Sequence, residues 1–314
     1  MVAGTAYAPS YAAVVSFGSG GNQFNMEFVT IGNPNNAADT TGTPNPAGAV
    51  GYEYGIGKFE VSEDMITKFN ASQSLQITQD NRGSAKPATS VSWNKAARFV
   101  NWLNTSTGNQ AAYKFTTSGV NDNIALWVSG DAGYDASNPY RNSLAKYVLP
   151  SYNEWYKAAY YNPTDSTYYN FANGSDTAPT AVTSGTTAGT AVYKQNFDQG
   201  PADVTQAGGL SPYGVMGLGG NVYEWEESSF DLLNSSGSSS RGFRGGSWLN
   251  NSSFLSSSAR YELLYGPSLE FNIIGFRVAS LSSDAPPAVP EPSMMVIGTL
   301  FGLGGLMAKR RMKK

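Results

Sequence analysis

Seven consecutive residues, Gly219-Gly220-Asn221-Val222-Tyr223-Glu224-Trp225, restrict what this chain can fold into more than any other stretch. Adjacent glycines permit backbone angles and close approaches that a Cβ would forbid. Trp225 then offers a large apolar anchor, so the segment reads as a tight turn running into a buried strand. Asn221 and Glu224 carry side-chain oxygens that could meet at one point, the donor chemistry a hard cation prefers. Whether such a turn does chemistry depends on what the rest of the chain can bring to it.

Much of enzymology is closed to it by composition. The 314 residues contain no cysteine and no histidine. That excludes a cysteine nucleophile, a disulfide framework, a Cys/His zinc site and any histidine-based triad or iron site. Aromatic residues make up 13% and charged residues 14%, enough apolar material for a sizeable core and too little charge for a disordered chain. The net charge of -3 argues against nucleic acid as a partner. Five of the 20 basic residues fall within the last six positions, so the remainder carries 15 basic against 23 acidic residues and is acidic.

Helical spacing is confined to three short segments. Ser62 is placed to cap a helix with Glu63 and Asp64 in its first turn and Met65, Ile66 and Phe69 on its apolar face. Ser92 caps a longer one to about Asn104, with Trp93, Ala96, Ala97, Val100 and Leu103 recurring at helical period. Ser151 and Glu154 form a capping-box pair ahead of Trp155, Ala158 and Ala159, and Asn162-Pro163 ends that helix. Strands are expected at Asn25–Asn33, Tyr54–Val61, Gly242–Trp248 and Ile274–Ala279, with long loops at 164–190 and 234–240.

The two ends read as targeting elements. Residues 1–23 form an N-terminal segment in which Ala6-Tyr7-Ala8 has the small-x-small form of a signal-peptidase site, as expected if a leader lies upstream; an ordinary frayed terminus is the alternative. After a linker at 283–288, Val289-Pro290-Glu291-Pro292 precedes an uncharged apolar stretch, Ser293 to Ala308, and a basic end, 309–314. Sixteen helical residues span roughly 24 Å, a little short of the ~30 Å hydrocarbon core, and flanking Lys and Arg can snorkel. This order of parts over 289–314 resembles the PEP-CTERM sorting signal. The resemblance implies exosortase-type machinery as a partner and a transmembrane helix before processing. It further implies export, with the protein inner-membrane-anchored during sorting and then at the cell surface or in the extracellular matrix.

Five blocks of the main domain resemble, in order, the sulfatase-modifying-factor domains of the formylglycine-generating enzyme family. They are YGIGKFEVSEDMITKFNA, PATSVSWNKAARFVNWLN, YVLPSYNEWYKAAYY, SPYGVMGLGGNVYEW, and RGFRGGSW followed by Arg260 and IGFRVA. Together they cover roughly residues 24–282. The resemblance implies an α+β, C-type-lectin-like fold rich in irregular loops, with the single C-terminal hydrophobic helix appended. Trp93, Trp102, Trp155, Trp225 and Trp248 would supply core area, and Arg244, Arg260 and Arg277 would bridge loops by charge-assisted hydrogen bonds.

The departures from the family pattern bear on function. The oxygen-dependent members hold copper on two cysteines just after the Gly-Gly-Ser motif. Counted from Gly245-Gly246-Ser247, those places fall on Asn250 and Leu255. The related sulfur-transfer enzymes need an iron site of histidines. Ser247 matches an active-site serine and Tyr223 stands where tryptophan is usual, but without thiols both read as relics or pocket lining. The resemblance also implies a calcium site from the Glu224 side chain with the carbonyls of Gly220 and Val222, weakened because an expected Asp or Asn ligand falls on Gly217. A second would use Asn196 and Asp203. The alternative is that Glu224 caps backbone amides or pairs with an arginine.

The expected function is therefore a non-catalytic, exported domain that binds or scaffolds, with polysaccharide or a surface protein as partner. The competing reading is an enzyme with altered, cysteine-independent chemistry built on Glu224, Glu226 and Glu227, a run that would otherwise be a solvated or cation-binding face.

Overall fold

The computed structural model describes residues 12–262 and 266–281. In chain order the strands are β1 (Ala12–Phe17), β2 (Phe24–Ile31), β3 (Tyr54–Gly57), β4 (Tyr147–Val148), β5 (Tyr161–Asn162), β6 (Thr167–Tyr168) and β7 (Thr180–Val182). They continue as β8 (Thr190–Val192), β9 (Tyr223–Ser229), β10 (Arg241–Arg244), β11 (Tyr261–Glu262), β12 (Ile274–Gly275) and β13 (Ala279–Ser280). One sheet has the order β1-β2-β3-β13-β4 and a second has β11-β10-β9-β12. Antiparallel β5-β6 and parallel β7-β8 form two further pairs. With three α-helices among the described residues, the arrangement is α+β.

Each helix starts where its cap stands. The Ser62 side chain accepts from Met65 N ahead of α1 (Glu63–Ser72), and Ser92 accepts from Lys95 N ahead of α2 (Trp93–Ser106). The complete capping box at Ser151 and Glu154 opens α3 (Tyr152–Tyr160). That helix stops two residues before the expected Asn162-Pro163, because Tyr161 and Asn162 turn into β5 and pair with β6.

β2 explains how the core divides. Phe24, Met26 and Phe28 alternate onto one face and join Ile66, Phe69, Phe99 and Leu103 of α1 and α2. Val29 and Ile31 take the opposite face and pack with Trp155, Tyr156, Ala159 and Tyr160 of α3. β2 thus buries one face along its first half and the opposite face along its second, as period-2 alternation allows when the apolar register shifts by one residue.

Three expected strands and two segments expected to lack them change in detail. β1 pairs along its length with β2, inside the segment read as an N-terminal remnant. Tyr54–Val61 is a strand only to Gly57, and the strand expected at Gly242–Trp248 stops at Arg244 because Gly245 and Gly246 take φ of +94° and +75°. Ile274–Ala279 is not one strand: β12 joins β9 in the second sheet, and β13 joins β3 and β4 in the first. The segment read as a loop at 164–190 contributes β6, β7 and the first residue of β8. The linker, the Pro-Glu-Pro motif, the apolar stretch and Ala6–Ala8 lie outside the described residues; among those described, no helix is long and apolar enough to cross a membrane.

Candidate functional site

The Gly-Gly-Asn turn is held by its backbone. Gly220 N donates to Gly245 O, Asn221 N to Val192 O, and Trp248 N to Asn221 O. Gly220 has φ +90°, and a Cβ there would stand 2.4 Å from Val192 O, so glycine is required. Asn221 adopts φ +62°; its Oδ1 accepts from Ala202 N at 2.8 Å and its Nδ2 donates to Glu60 Oε1 at 2.9 Å. Val222 packs with Val192, Ala202 and Trp248.

β9 follows, and all seven of its residues are buried. Glu224, Glu226 and Glu227 have no exposure, so the run is neither solvated nor a surface face. An isolated buried carboxylate is very costly, and each is matched by arginine. Arg277 grips Glu224 with two bonds, Nε to Oε2 at 2.6 Å and Nη2 to Oε1 at 2.5 Å, and Trp155 Nε1 adds a third at 2.7 Å. Glu226 accepts from Arg244 Nε at 2.5 Å and Arg260 Nε at 2.7 Å. Burial would raise its pKa, but Arg260 and Arg244 hold it below the usual carboxylate range. Glu227 accepts from Arg141 Nε, Tyr113 hydroxyl and Asn138 Nδ2. There burial outweighs Arg141 and its pKa lies above normal.

Arg141 bridges Glu227 to a second carboxylate. Its Nη1 and Nη2 donate to Glu154 Oε1 and Oε2, both at 2.8 Å, and Nη2 also reaches Leu149 O. Glu154 further accepts from Tyr52 hydroxyl and Ser151 N, each at 2.6 Å. Burial pushes Glu154 upward, yet Arg141 and these hydrogen bonds bring it down to about 2.

The residues expected to hold calcium are placed as follows. Glu224 has both oxygens on Arg277 and Trp155, while Asn221 faces Glu60 and Ala202, so these two side chains do not converge as the sequence suggested. Gly217 has φ +79°, and a Cβ there would lie 2.6 Å from Glu60 Oε1, so the Glu60 carboxyl fills the space of the missing ligand. Asp203 pairs with Lys86 at 3.0 Å, and Asn196 precedes a 3₁₀ turn (Phe197–Gln199) without a side-chain cap bond. Among the described residues no group of three or more acidic side chains is arranged to hold a metal ion.

The cysteine positions are filled differently. Asn250 Oδ1 accepts from Ser247 N at 2.8 Å and Ser247 Oγ at 2.7 Å, closing a small turn. Leu255 is buried with Ala191 and Tyr193 and lies against Gly246. The gap left beside it, bordered by Phe171, Leu218 and Gly219, is about 10 Å³, room for roughly one water. Copper(I) selects soft sulfur donors, and an amide with an alkyl chain supplies none, so these residues do not fit that ion. Tyr223 is buried against Phe243 and Tyr261.

An open cleft lies elsewhere. A cleft of about 400 Å³ is lined by Tyr52, Asp135, Asn138, Arg141, Tyr152 and Asn153, together with serines 137, 143, 151 and 228. In the sequence Glu154 reads as a helix cap, and Tyr52, Asn138, Arg141 and Glu60 carry no signal of a site. Residues 135–146 carry no periodicity, and their partners lie on β9 and α3, far along the chain.

The model of the sulfatase-modifying factor enzyme 1-like domain family matches residues 21–281. Treponema denticola variable protein 1 is similar over 88% of this chain and 99% of its own, at 19% identity and a TM-score of 0.56. CarF is similar over 81% and 98%, at 20% identity and 0.55. PvdO from Pseudomonas aeruginosa is similar over 88% and 99%, at 18% identity and 0.52. At such identities the likeness is one of fold. Among curated proteins none matches.

Proposed function

The chain belongs to the sulfatase-modifying factor enzyme 1-like family, and we propose that within it this domain binds or scaffolds and does not oxidise thiols. One observation carries the reading: the positions of the cysteine pair hold Asn250, spent on Ser247, and Leu255, packed so closely that about 10 Å³ remains. The carboxylates that could support other chemistry, Glu224, Glu226 and Glu227, are locked to arginines inside the core. A lectin-like scaffold with its open cleft away from the filled cysteine positions suits recognition. The proposal extends to place. The order Pro-Glu-Pro, apolar stretch and basic end supports exosortase-type sorting to the cell surface or polysaccharide matrix.

The test is to incubate the purified chain, with copper and oxygen supplied, with a cysteine-containing sulfatase peptide. No aldehyde should form, and the Asn250→Cys, Leu255→Cys pair should not restore turnover without repacking. Aldehyde production by the unaltered chain would overturn the reading. Separately, fractionation of producing cells should place the chain at the surface or in the matrix; a purely cytoplasmic chain would remove the sorting proposal.

A further inference from the structure

We propose that the cleft between Tyr52, Asp135 and Asn153 is a saccharide-binding subsite that accepts neutral or amine-bearing sugars and rejects anionic ones. This rests on the binding reading above and gives it a location and a ligand class. The volume of about 400 Å³ falls within the range of small-ligand sites, and the lining mixes aromatic rings with amides and hydroxyls.

Tyr52 is the recognition platform. The residue is 44% exposed, yet its hydroxyl is fixed on Glu154 at 2.6 Å and its ring meets Tyr54 edge-on with centroids 6.2 Å apart. A tyrosine anchored at its tip and bare on its ring gives rigid, amphipathic contact area at little entropic cost. The C–H face of a pyranose ring matches such a surface, and its hydroxyls match the rim. Asn153 turns Oδ1 to Gly48 N, which leaves Nδ2 as a donor without a protein partner among the described residues. Asp135 spends Oδ1 on Ser137 N and Oγ, leaving Oδ2 as an acceptor. A ligand bearing both donors and acceptors on an apolar ring frame satisfies both edges, whereas a purely apolar ligand would strand them.

Charge sets the second half of the specificity. Arg141 is the cation in this lining, and its Nε, Nη1 and Nη2 all donate inward, to Glu227, Glu154 and Leu149 O. Beneath the cleft two carboxylates, Glu154 and Glu227, share one directly bonded guanidinium, with the buried Arg241 also acting on Glu227, and Asp135 adds a negative charge at the rim. An anionic sugar would meet that field with no cation free among the described lining residues to answer it, and like charges in juxtaposition are the usual means of rejecting a wrong partner. The same network fixes Asn138, whose Nδ2 donates to Glu227 Oε2 at 2.6 Å, so the floor is organised before a ligand arrives.

Calorimetric titration of the full chain with cellohexaose, chitohexaose, a chitosan hexamer and hexagalacturonate tests this. At least one of the first three should bind, and hexagalacturonate should bind at least about tenfold more weakly. Tyr52→Ala, with near-UV circular dichroism showing an intact core, should weaken binding by about tenfold or more, as loss of a central aromatic contact does. Asn153→Asp keeps the acceptor for Gly48 N while removing the donor, and should weaken binding of the neutral sugars several-fold. Binding of none of the three sugars, preference for hexagalacturonate, or uptake of hexalysine in their place would overturn the inference. Sugar binding untouched by both substitutions would also sink this site, while leaving the binding-module reading standing. That reading fails independently, on aldehyde formation.

Discussion

Glu60 lies in the core with one carboxyl oxygen bonded to Asn221 and the other, Oε2, without a hydrogen-bond partner. Burial, offset in part by Arg277 and reinforced by Glu224, pushes its pKa from 4.5 to about 8. Between those values the folded chain holds a proton that the unfolded chain has released. Stability from this residue is therefore full below pH 4.5 and lost as pH rises toward 8. Glu60→Gln keeps the acceptor for Asn221 and removes the titration. Its thermal midpoint should fall less between pH 5 and pH 8 than that of the unaltered chain, measured by calorimetry; parallel slopes would contradict the assignment.

At the scale of elements, single guanidinium groups do the joining that long helices do in other folds. Arg277, on the link between β12 and β13, grips Glu224 of β9 and donates Nη1 to Gly57 O at the end of β3 and Nη2 to Met216 O. Both sheets and the turn before the Gly-Gly-Asn segment meet at this one side chain. Arg277→Met should strand Glu224 with Trp155 as its remaining partner and destabilise the fold by ~3–5 kcal/mol, the usual cost of an uncompensated buried charge. Adding Glu224→Leu should recover a large part of that loss. Urea unfolding with an unchanged slope would report it, and a double variant as unstable as the single one would refute the pairwise account.

For the molecule as a whole, the buried ion pairs shape the response to pH. Glu154, at about 2, and Glu226, also depressed, are lowered groups; their stabilisation is present above pH 4.5 and is lost as pH falls below it, for Glu154 down to about 2. Glu60 and Glu227 are raised groups and act in the opposite direction above pH 4.5. The thermal midpoint should trace a dome with its maximum near pH ~5, falling on both sides. A midpoint that stayed level from pH 4.5 to 2.5 would mean that Glu154 and Glu226 are not held ionised as described.

What could be read without the structure was local. Ser62, Ser92 and Ser151 mark three helix starts because a cap is a contact between a residue and an amide three positions on. Two glycines followed by tryptophan mark a turn into the core for the same reason. The family was legible as well, because five blocks keep their order, and so was the lack of thiols and imidazoles. The meaning of the carboxylates was not. Glu224, Glu226 and Glu227 look like a polar run in sequence, and their partners Arg277, Arg244, Arg260 and Arg141 arrive from positions 18 to 86 residues away. Only folding decides whether such charges meet each other in a dry interior or meet solvent and metal. Likewise Gly217 reads as a lost ligand until the structure sets Glu60 in its place. The cleft at Tyr52 belongs wholly to the tertiary level, because Tyr52, Asp135 and Asn153 share no motif and come together only when α3 and the 135–146 segment dock beside β9. Short-range contacts are written in neighbouring residues; long-range electrostatics and cavities exist only once the chain has closed on itself.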